Sequence, residues 1–112
     1  MTREDIEAVA SALPAVTRVI QWGASDVYKV GGKVFAIVGD DGMSFKVTEI
    51  GFMVLTEPGG PGRQGPYCAK GQWVNVPLEG LDPEDAQGWL ATAHSLISAK
   101  LTKKVRAELG LP

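Results

Sequence analysis

Residues 27–47 read VYKVGGKVFAIVGDDGMSFKV, and this stretch decides the fold. Gly31-Gly32 supplies the positive φ angles that a tight hairpin needs. A second reversal follows at Gly39-Asp40-Asp41-Gly42, a turn by composition. Apolar residues fill the segments on both sides of each reversal. We therefore predict three consecutive antiparallel strands, against which the rest of the chain packs.

The two loops predict a strand register. The first places Tyr28 opposite Phe35, and the second places Ala36 opposite Phe45. Because side chains alternate across a strand, one face collects a core set: Val27, Val34, Ala36, Val38, Met43, Phe45 and Val47. The other face collects a mixed apolar and charged set: Tyr28, Val30, Lys33, Phe35, Ile37, Ser44, Lys46 and Thr48. A slip of one residue would exchange the two faces.

Helical and strand patterns extend on both sides of these three strands. Before the three strands we predict a helix from the Thr2/Asp5 capping box to Pro14 and a strand over 16–22. After them we predict a buried apolar helix over 49–57 and strands over 67–70 and 72–78. Two helices follow, one starting at Asp82-Pro83 and the last running from Thr102 to Gly110. This order, α-β4-α-β2-α-α, predicts an α+β protein with an antiparallel sheet of about six strands and helices packed on one face. We expect residues 1–112 to form a single domain.

Composition and charge exclude several classes of protein. A hydrophobic content of 45% and a charged content of 21% are ordinary for a globular domain. No apolar run approaches the roughly 18 residues of a membrane span, and the first residues read as a helix, so we expect a cytoplasmic protein. A net charge of −2 is not typical of nucleic-acid binders. The cations nevertheless concentrate near the C-terminus, at Lys100, Lys103, Lys104 and Arg106.

No catalytic, metal or cofactor site is predicted. Residues 60–65 match G-x-G-x-x-G by letter, but no strand precedes them and no helix follows. We interpret them as a connector, with Arg63 on a flexible loop tip able to touch an anion as the alternative. His94, the only histidine, lacks a positioned partner and is interpreted as a helix-surface or interface residue. Cys68, the only cysteine, is interpreted as a small packed side chain.

The mixed face carries the one candidate binding surface. Tyr28 and Phe35 are predicted cross-strand partners there, flanked by Lys33 and Lys46. Aromatic rings interleaved with lysines on a sheet suit the stacking of nucleic-acid bases, at about 1–3 kcal/mol per base. The alternatives are that helices or loops cover this face, or that it forms a dimer interface.

The chain resembles the MmcQ/YjbR family of small bacterial proteins. The matching residues, in order, are Leu13-Pro14, Trp22-Gly23, Val30 to Ala36, Phe45-Lys46-Val47, Pro66-Tyr67, Trp73-Val74 and Lys100 to Arg106. Thr102 stands where the family commonly has proline, and Leu96 stands where it often has an aromatic residue. The resemblance implies a frataxin-like α+β fold, described as a double wing for DNA, and a DNA-binding function.

We therefore predict a small, non-enzymatic DNA-binding domain, with a role related to transcription as the wider hypothesis. The contacts, mainly to phosphates, would come from the open sheet face, the loop residue Arg63 and the basic C-terminal helix: Tyr28, Lys33, Phe35, Lys46, Arg63, Lys100, Lys103, Lys104 and Arg106. The alternative is a protein- or small-ligand-binding module that uses the same sheet face as a hydrophobic interface, with a protein partner or a homodimer as its occupant. We expect no cofactor and no membrane partner.

Overall fold

The order of helices and strands follows the predicted pattern. In a computed structural model, which describes residues 1–66 and 68–112, the elements are α1 (Arg3–Ala10), β1 (Val16–Gln21), β2 (Ser25–Val30), β3 (Lys33–Gly39), β4 (Gly42–Lys46), α2 (Glu49–Leu55), β5 (Arg63–Gln64), β6 (Trp73–Val76), α3 (Pro83–Ser98) and α4 (Lys103–Leu109). A short 3₁₀ turn, Leu78–Gly80, precedes α3. Of the described helices, none is long and apolar enough to cross a membrane.

The six strands form one antiparallel sheet in the order β1-β2-β3-β4-β6-β5. The predicted α+β class and open antiparallel sheet are therefore confirmed. The fifth strand lies earlier than predicted, at Arg63–Gln64, and residues 68–70 are not in a strand. Tyr67, the first residue of the predicted strand over 67–70, lies outside the described residues.

The helix ends carry the predicted caps. The Thr2 hydroxyl accepts from the Asp5 backbone N–H, and the Asp5 carboxylate accepts in return from the Thr2 N–H. Asp82 caps α3 through the backbone N–H groups of the two residues after Pro83. The Thr102 hydroxyl caps α4 by accepting from the Val105 N–H. Each cap satisfies backbone donors that a helix start leaves without partners.

A β-bulge in β3 changes half of the predicted register. The β3–β4 pairs occur as predicted, with Ala36 opposite Phe45. The hairpin next to Gly31-Gly32 also begins as predicted, but the register shifts after Lys29. Tyr28 then pairs with Ala36 instead of Phe35, so that Phe35 is the extra residue. The predicted assignment of Tyr28 and Phe35 to an open face is therefore wrong.

The bulge turns two successive β3 side chains toward the helices. Both Phe35 and Ala36 are fully buried, and the Phe35 ring meets the His94 ring of α3 edge-on with centroids 5.4 Å apart. Tyr28 follows inward, with its ring centroid 6.4 Å from that of Phe35. Val27 moves to the opposite face, where it pairs with Ile37. The predicted core set thus loses Val27 and Val34 to the other face, and it gains Val30 and the two aromatic rings.

The core lies between one face of the sheet and helices α1 and α3. Phe45 stacks on Trp89 of α3, with ring centroids 5.3 Å apart and planes 10° from parallel. The remaining fully buried apolar members are Ile6, Ala10, Val30, Val38, Met43, Val74, Ala86, Leu90 and Ala93. Burying aromatic and branched side chains is the main stabilising contribution in a domain of this size.

Helix α2 is not the buried helix that its composition predicts. It has no buried residue, and Ile50, Met53 and Val54 point to solvent, with Ile50 75% exposed. Phe52 and Leu55 are half-buried against the core. A short segment that is apolar all round shows no periodicity, so its sequence does not indicate which side faces the protein.

One buried carboxylate connects α1 to the sheet. Asp26 in β2 is buried and lies beneath two arginines. Its Oδ2 accepts from Arg3 Nε at 3.1 Å, and its Oδ1 lies 2.9 Å from Arg18 Nη2. Arg3 also donates to the Ala24 carbonyl, and the bond to Asp26 raises the pKa of the Arg3 guanidinium. The carboxylate therefore holds both the N-terminal helix and the edge strand β1.

We expect Asp26→Asn to destabilise the protein by about 2 kcal/mol. Breaking a buried ion pair costs about 3–5 kcal/mol, but both arginines are about a third exposed and can turn to water, which lowers the cost. The free energy of unfolding in urea measures the effect. Asp41→Asn, in an exposed turn, is the matched control and should change it by less than about 0.5 kcal/mol. Equal unfolding midpoints for the two variants would contradict the proposed role of Asp26.

Candidate functional site

The predicted aromatic platform does not exist in the folded protein. Tyr28 and Phe35 are 0% exposed and lie under α3. Burial, the largest cause, raises the pKa of Tyr28 to about 12, with the neighbouring Asp26 acting in the same direction. A base cannot reach either ring without unfolding the core. The prediction that these two residues stack on nucleic acid is therefore contradicted by their position.

Replacing Phe35 tests this placement directly. We expect Phe35→Ala to lower the free energy of unfolding by about 3–5 kcal/mol, because it leaves a cavity beneath α3. Trp22→Ala is the control, since the Trp22 side chain is exposed, and should cost less than about 1 kcal/mol. Urea unfolding measures both. If Phe35→Ala lowers the free energy of unfolding as little as the control does, burial of the Phe35 ring is contradicted.

Two other predicted contact residues are engaged within the protein. Lys46 is buried on the sheet, and its Nζ donates to Gln72 Oε1 at 2.8 Å. Arg63 lies in β5 and not on a flexible loop tip, so that prediction is wrong. Its Nε donates to Asn75 Oδ1 at 3.1 Å, and its Nη2 donates to the Asp41 carbonyl at 2.9 Å. Both cations therefore already donate hydrogen bonds within the protein, so neither is positioned to bind an external phosphate.

The remaining predicted cations gather at one end of the sheet. A Cβ added at Gly31 would lie 2.7 Å from the Leu101 side chain, so the β2–β3 hairpin touches the segment between α3 and α4. Burial lowers the pKa of Lys46 at the end of β4, and the positive charge of Lys100 acts in the same direction. We call this region the basic end, formed by the exposed residues Lys33, Lys100, Lys103 and Lys104. Arg106 is half-buried on α4.

The opposite end of the sheet carries a cavity that sequence reasoning missed. It has a volume of about 720 Å³ and lies among the β1–β2 turn, the β3–β4 turn and the chain around Pro66 and Cys68. Ile37 and Ser44 form part of its lining from the sheet face away from the helices. Burial raises the pKa of the Cys68 thiol, which keeps it protonated. We call this region the turn-end cavity.

The backbone of the β1–β2 turn is strained. Trp22, Gly23 and Ala24 have φ angles of 48°, 75° and 70°. A left-handed conformation is uncommon for residues other than glycine, and strain of this kind concentrates at functional sites. The turn leaves Trp22 63% exposed beside the cavity. The only signal in the sequence was an aromatic residue directly before a turn glycine.

His94 is a core residue and not the surface or interface histidine predicted. It is buried on α3, with Nε2 at 2.8 Å from the Pro14 carbonyl and Nδ1 at 3.4 Å from Ser98 Oγ. A carbonyl only accepts, so Nε2 carries the proton and Nδ1 accepts from the serine. Within residues 1–66 and 68–112, no group of three or more histidine, cysteine, aspartate or glutamate residues is placed to hold a metal ion.

Comparisons with known proteins agree on one family. A family model described as YjbR matches residues 11–96. The crystal structure of the Deinococcus radiodurans protein DR2400, whose family-model domain is DUF419, is similar to this chain with a TM-score of 0.85 and 27% identity. The similarity covers 99% of this chain and 89% of that one. No curated protein matches the chain.

Proposed function

This chain belongs to the YjbR family, and we propose that it is a small, non-enzymatic domain that binds DNA through the phosphates. The basic end carries the proposal. Lys33 from the hairpin and Lys100, Lys103 and Lys104 from the α3–α4 junction are exposed on segments that contact each other. This arrangement replaces the sheet face on which the sequence prediction relied.

The acidic net charge does not oppose binding at this end. A charge acts over a Debye length of about 8 Å at physiological ionic strength. The turns with Asp40 and Asp41 lie at the other end of six- and seven-residue strands, about 20 Å away. Within α4, Lys103, Lys104 and Arg106 outnumber Glu108, so a phosphate near Lys103 meets a local excess of positive charge.

The buried aromatic rings change the expected specificity. Without a stacking platform, binding depends on charge density, and duplex DNA carries more charge per unit length than a single strand. We therefore propose weak binding that prefers the duplex and does not read base sequence. A dissociation constant of about 10⁻⁴–10⁻⁶ M at physiological salt is typical of this mode. A role related to transcription would then need a partner that supplies specificity.

Fluorescence anisotropy with a labelled duplex over a range of salt concentrations tests the proposal. Contacts from four lysines predict a log–log salt slope of about −3 to −4, because each phosphate contact contributes about −0.9. Lys103→Gln with Lys104→Gln should reduce the slope to about −2 and weaken binding. Binding to DNA weakens because the variant releases fewer counterions from the phosphates.

The control has the same net charge as that variant. Ala8→Glu with Gln87→Glu also lowers the charge by two, at exposed helix positions outside the basic end. It should keep the wild-type salt slope. Absence of duplex binding at low salt, or equal losses in the two variants, would refute DNA binding at the basic end. Tighter binding to single strands would refute the phosphate-only mode.

Helix α2 favours a second candidate function, a protein interface. The sheet face that the sequence assigned to this role does not exist as an apolar surface, since three of its four apolar members, Tyr28, Val30 and Phe35, are buried in the core. The exposed apolar side chains Ile50, Met53 and Val54 lie on α2 instead. Such a cluster is typical of interaction sites when it is contiguous.

Light scattering tests self-association through α2. If a second copy is the partner, the wild type should show a concentration-dependent rise in mass, and Ile50→Asp with Met53→Asp should abolish it because burying these carboxylates is costly. Ala91→Asp, at an exposed position on α3, is the control and should associate like the wild type. A wild type that stays monomeric at high concentration would exclude the homodimer.

A further inference from the structure

We propose that the turn-end cavity is a binding site for a small, planar organic cation such as an aromatic amine or amidine. The inference rests on the shape of the cavity, the charges that face it, the exposed indole at its rim and a buried hydroxyl in its wall. It is independent of DNA binding at the basic end.

The cavity has the dimensions of a small-molecule site. Its volume of about 720 Å³ lies within the range of roughly 300–1,000 Å³ that is typical of ligand pockets. Ile37 and Pro66 provide apolar lining, and Gly39 leaves room over the sheet. A Cβ at Gly39 would lie 3.2 Å from both Asp41 Oδ1 and Ser25 Oγ. Because glycine has no Cβ, the Asp41 carboxylate can lie close to the sheet surface at Gly39.

The charges around the cavity select a cation. Arg3 lines the cavity, but it already bonds to Asp26 and to the Ala24 carbonyl. Asp40 lies 3.9 Å from Arg3 and is fully exposed, and Asp41 makes no ion pair with a described residue. The lining thus carries two carboxylates against one guanidinium, which Asp26 already engages; Arg63, outside the lining, donates only to the Asp41 carbonyl. This excess of negative charge favours a cationic ligand over an anionic one.

Trp22 supplies the surface for a flat molecule. Its side chain is exposed at the rim, and the strained backbone of the turn holds it there. The face of an indole attracts a cation, by about 0.5–1 kcal/mol at an exposed site, and stacks on planar rings. A planar cation would therefore contact the indole with its face and the carboxylates of Asp40 and Asp41 with its N–H groups.

Ser44 adds a fixed polar group. It is only 5% exposed, and its Oγ accepts from Asn75 Nδ2 at 3.0 Å. A hydroxyl has two lone pairs and one proton, so a lone pair and the proton remain for a ligand. Arg63 links the partner of Ser44 to the β3–β4 turn, because it donates to Asn75 Oδ1 and to the Asp41 carbonyl. The Ser44 hydroxyl and the backbone of Asp41 are therefore positioned before a ligand binds.

Benzamidine, benzamide and benzoate form the matched probe set, since they share size and flatness and differ in charge. Two-dimensional NMR of the ¹⁵N-labelled full chain should show benzamidine shifting the resonances of the two turns and the Trp22 indole. Benzamide should bind about fivefold more weakly, because it lacks the charge, and benzoate should not bind. Benzoate binding as tightly as benzamidine, or benzamidine shifts only outside the cavity, would overturn the proposal.

Variants at exposed positions assign the contacts. Asp40→Asn with Asp41→Asn, and separately Trp22→Ala, should each weaken benzamidine about fivefold. Glu84→Gln with Asp85→Asn, at the exposed start of α3, makes the same charge change and should bind as the wild type does. Lys103→Gln with Lys104→Gln should also leave benzamidine binding unchanged, which separates this site from DNA binding. Unchanged affinity in both cavity variants would overturn the proposal.

Discussion

The extra residue in β3 is the constraint on which the rest of the structure depends. Because Phe35 has no partner in the ladder, it and Ala36 both turn toward the helices, and Tyr28 turns with them. The Phe35 ring then packs against His94, which in turn bonds to the Pro14 carbonyl in the turn between α1 and β1. In a regular strand Phe35 and Ala36 would point to opposite faces of the sheet, and only one of them could pack against the helices.

The strand direction separates the charges of the molecule. The β2–β3 hairpin brings Lys33 to the end where α3 finishes, and the β3–β4 turn brings Asp40 and Asp41 to the other end. A net charge of −2 therefore describes neither end. Exposed lysines are in excess at one end and the turn carboxylates at the other, and this separation is the physical basis for assigning an anionic partner to one end and a cationic ligand to the other.

Buried polar groups hold the connecting segments in place. Arg3 and Arg18 converge on Asp26, and Arg63 joins β5 to the β3–β4 turn. Of these arginines, Arg63 entered the sequence prediction as a free cation. Their partners lie 8 to 23 residues away along the chain, so only the folded structure shows that their charges are already engaged.

The sequence by itself determined the elements, because local chemistry sets them: glycines at the reversals, the Thr2, Asp82 and Thr102 caps, and the apolar periods between them. It also indicated the family and the lysines of the C-terminal segment. Only the tertiary structure decided which faces these elements bury. A bulge of one residue exchanges the faces of a strand, and an all-apolar helix such as α2 has no preferred side until it packs. The turn-end cavity, built from segments distant in sequence, could be found in no other way.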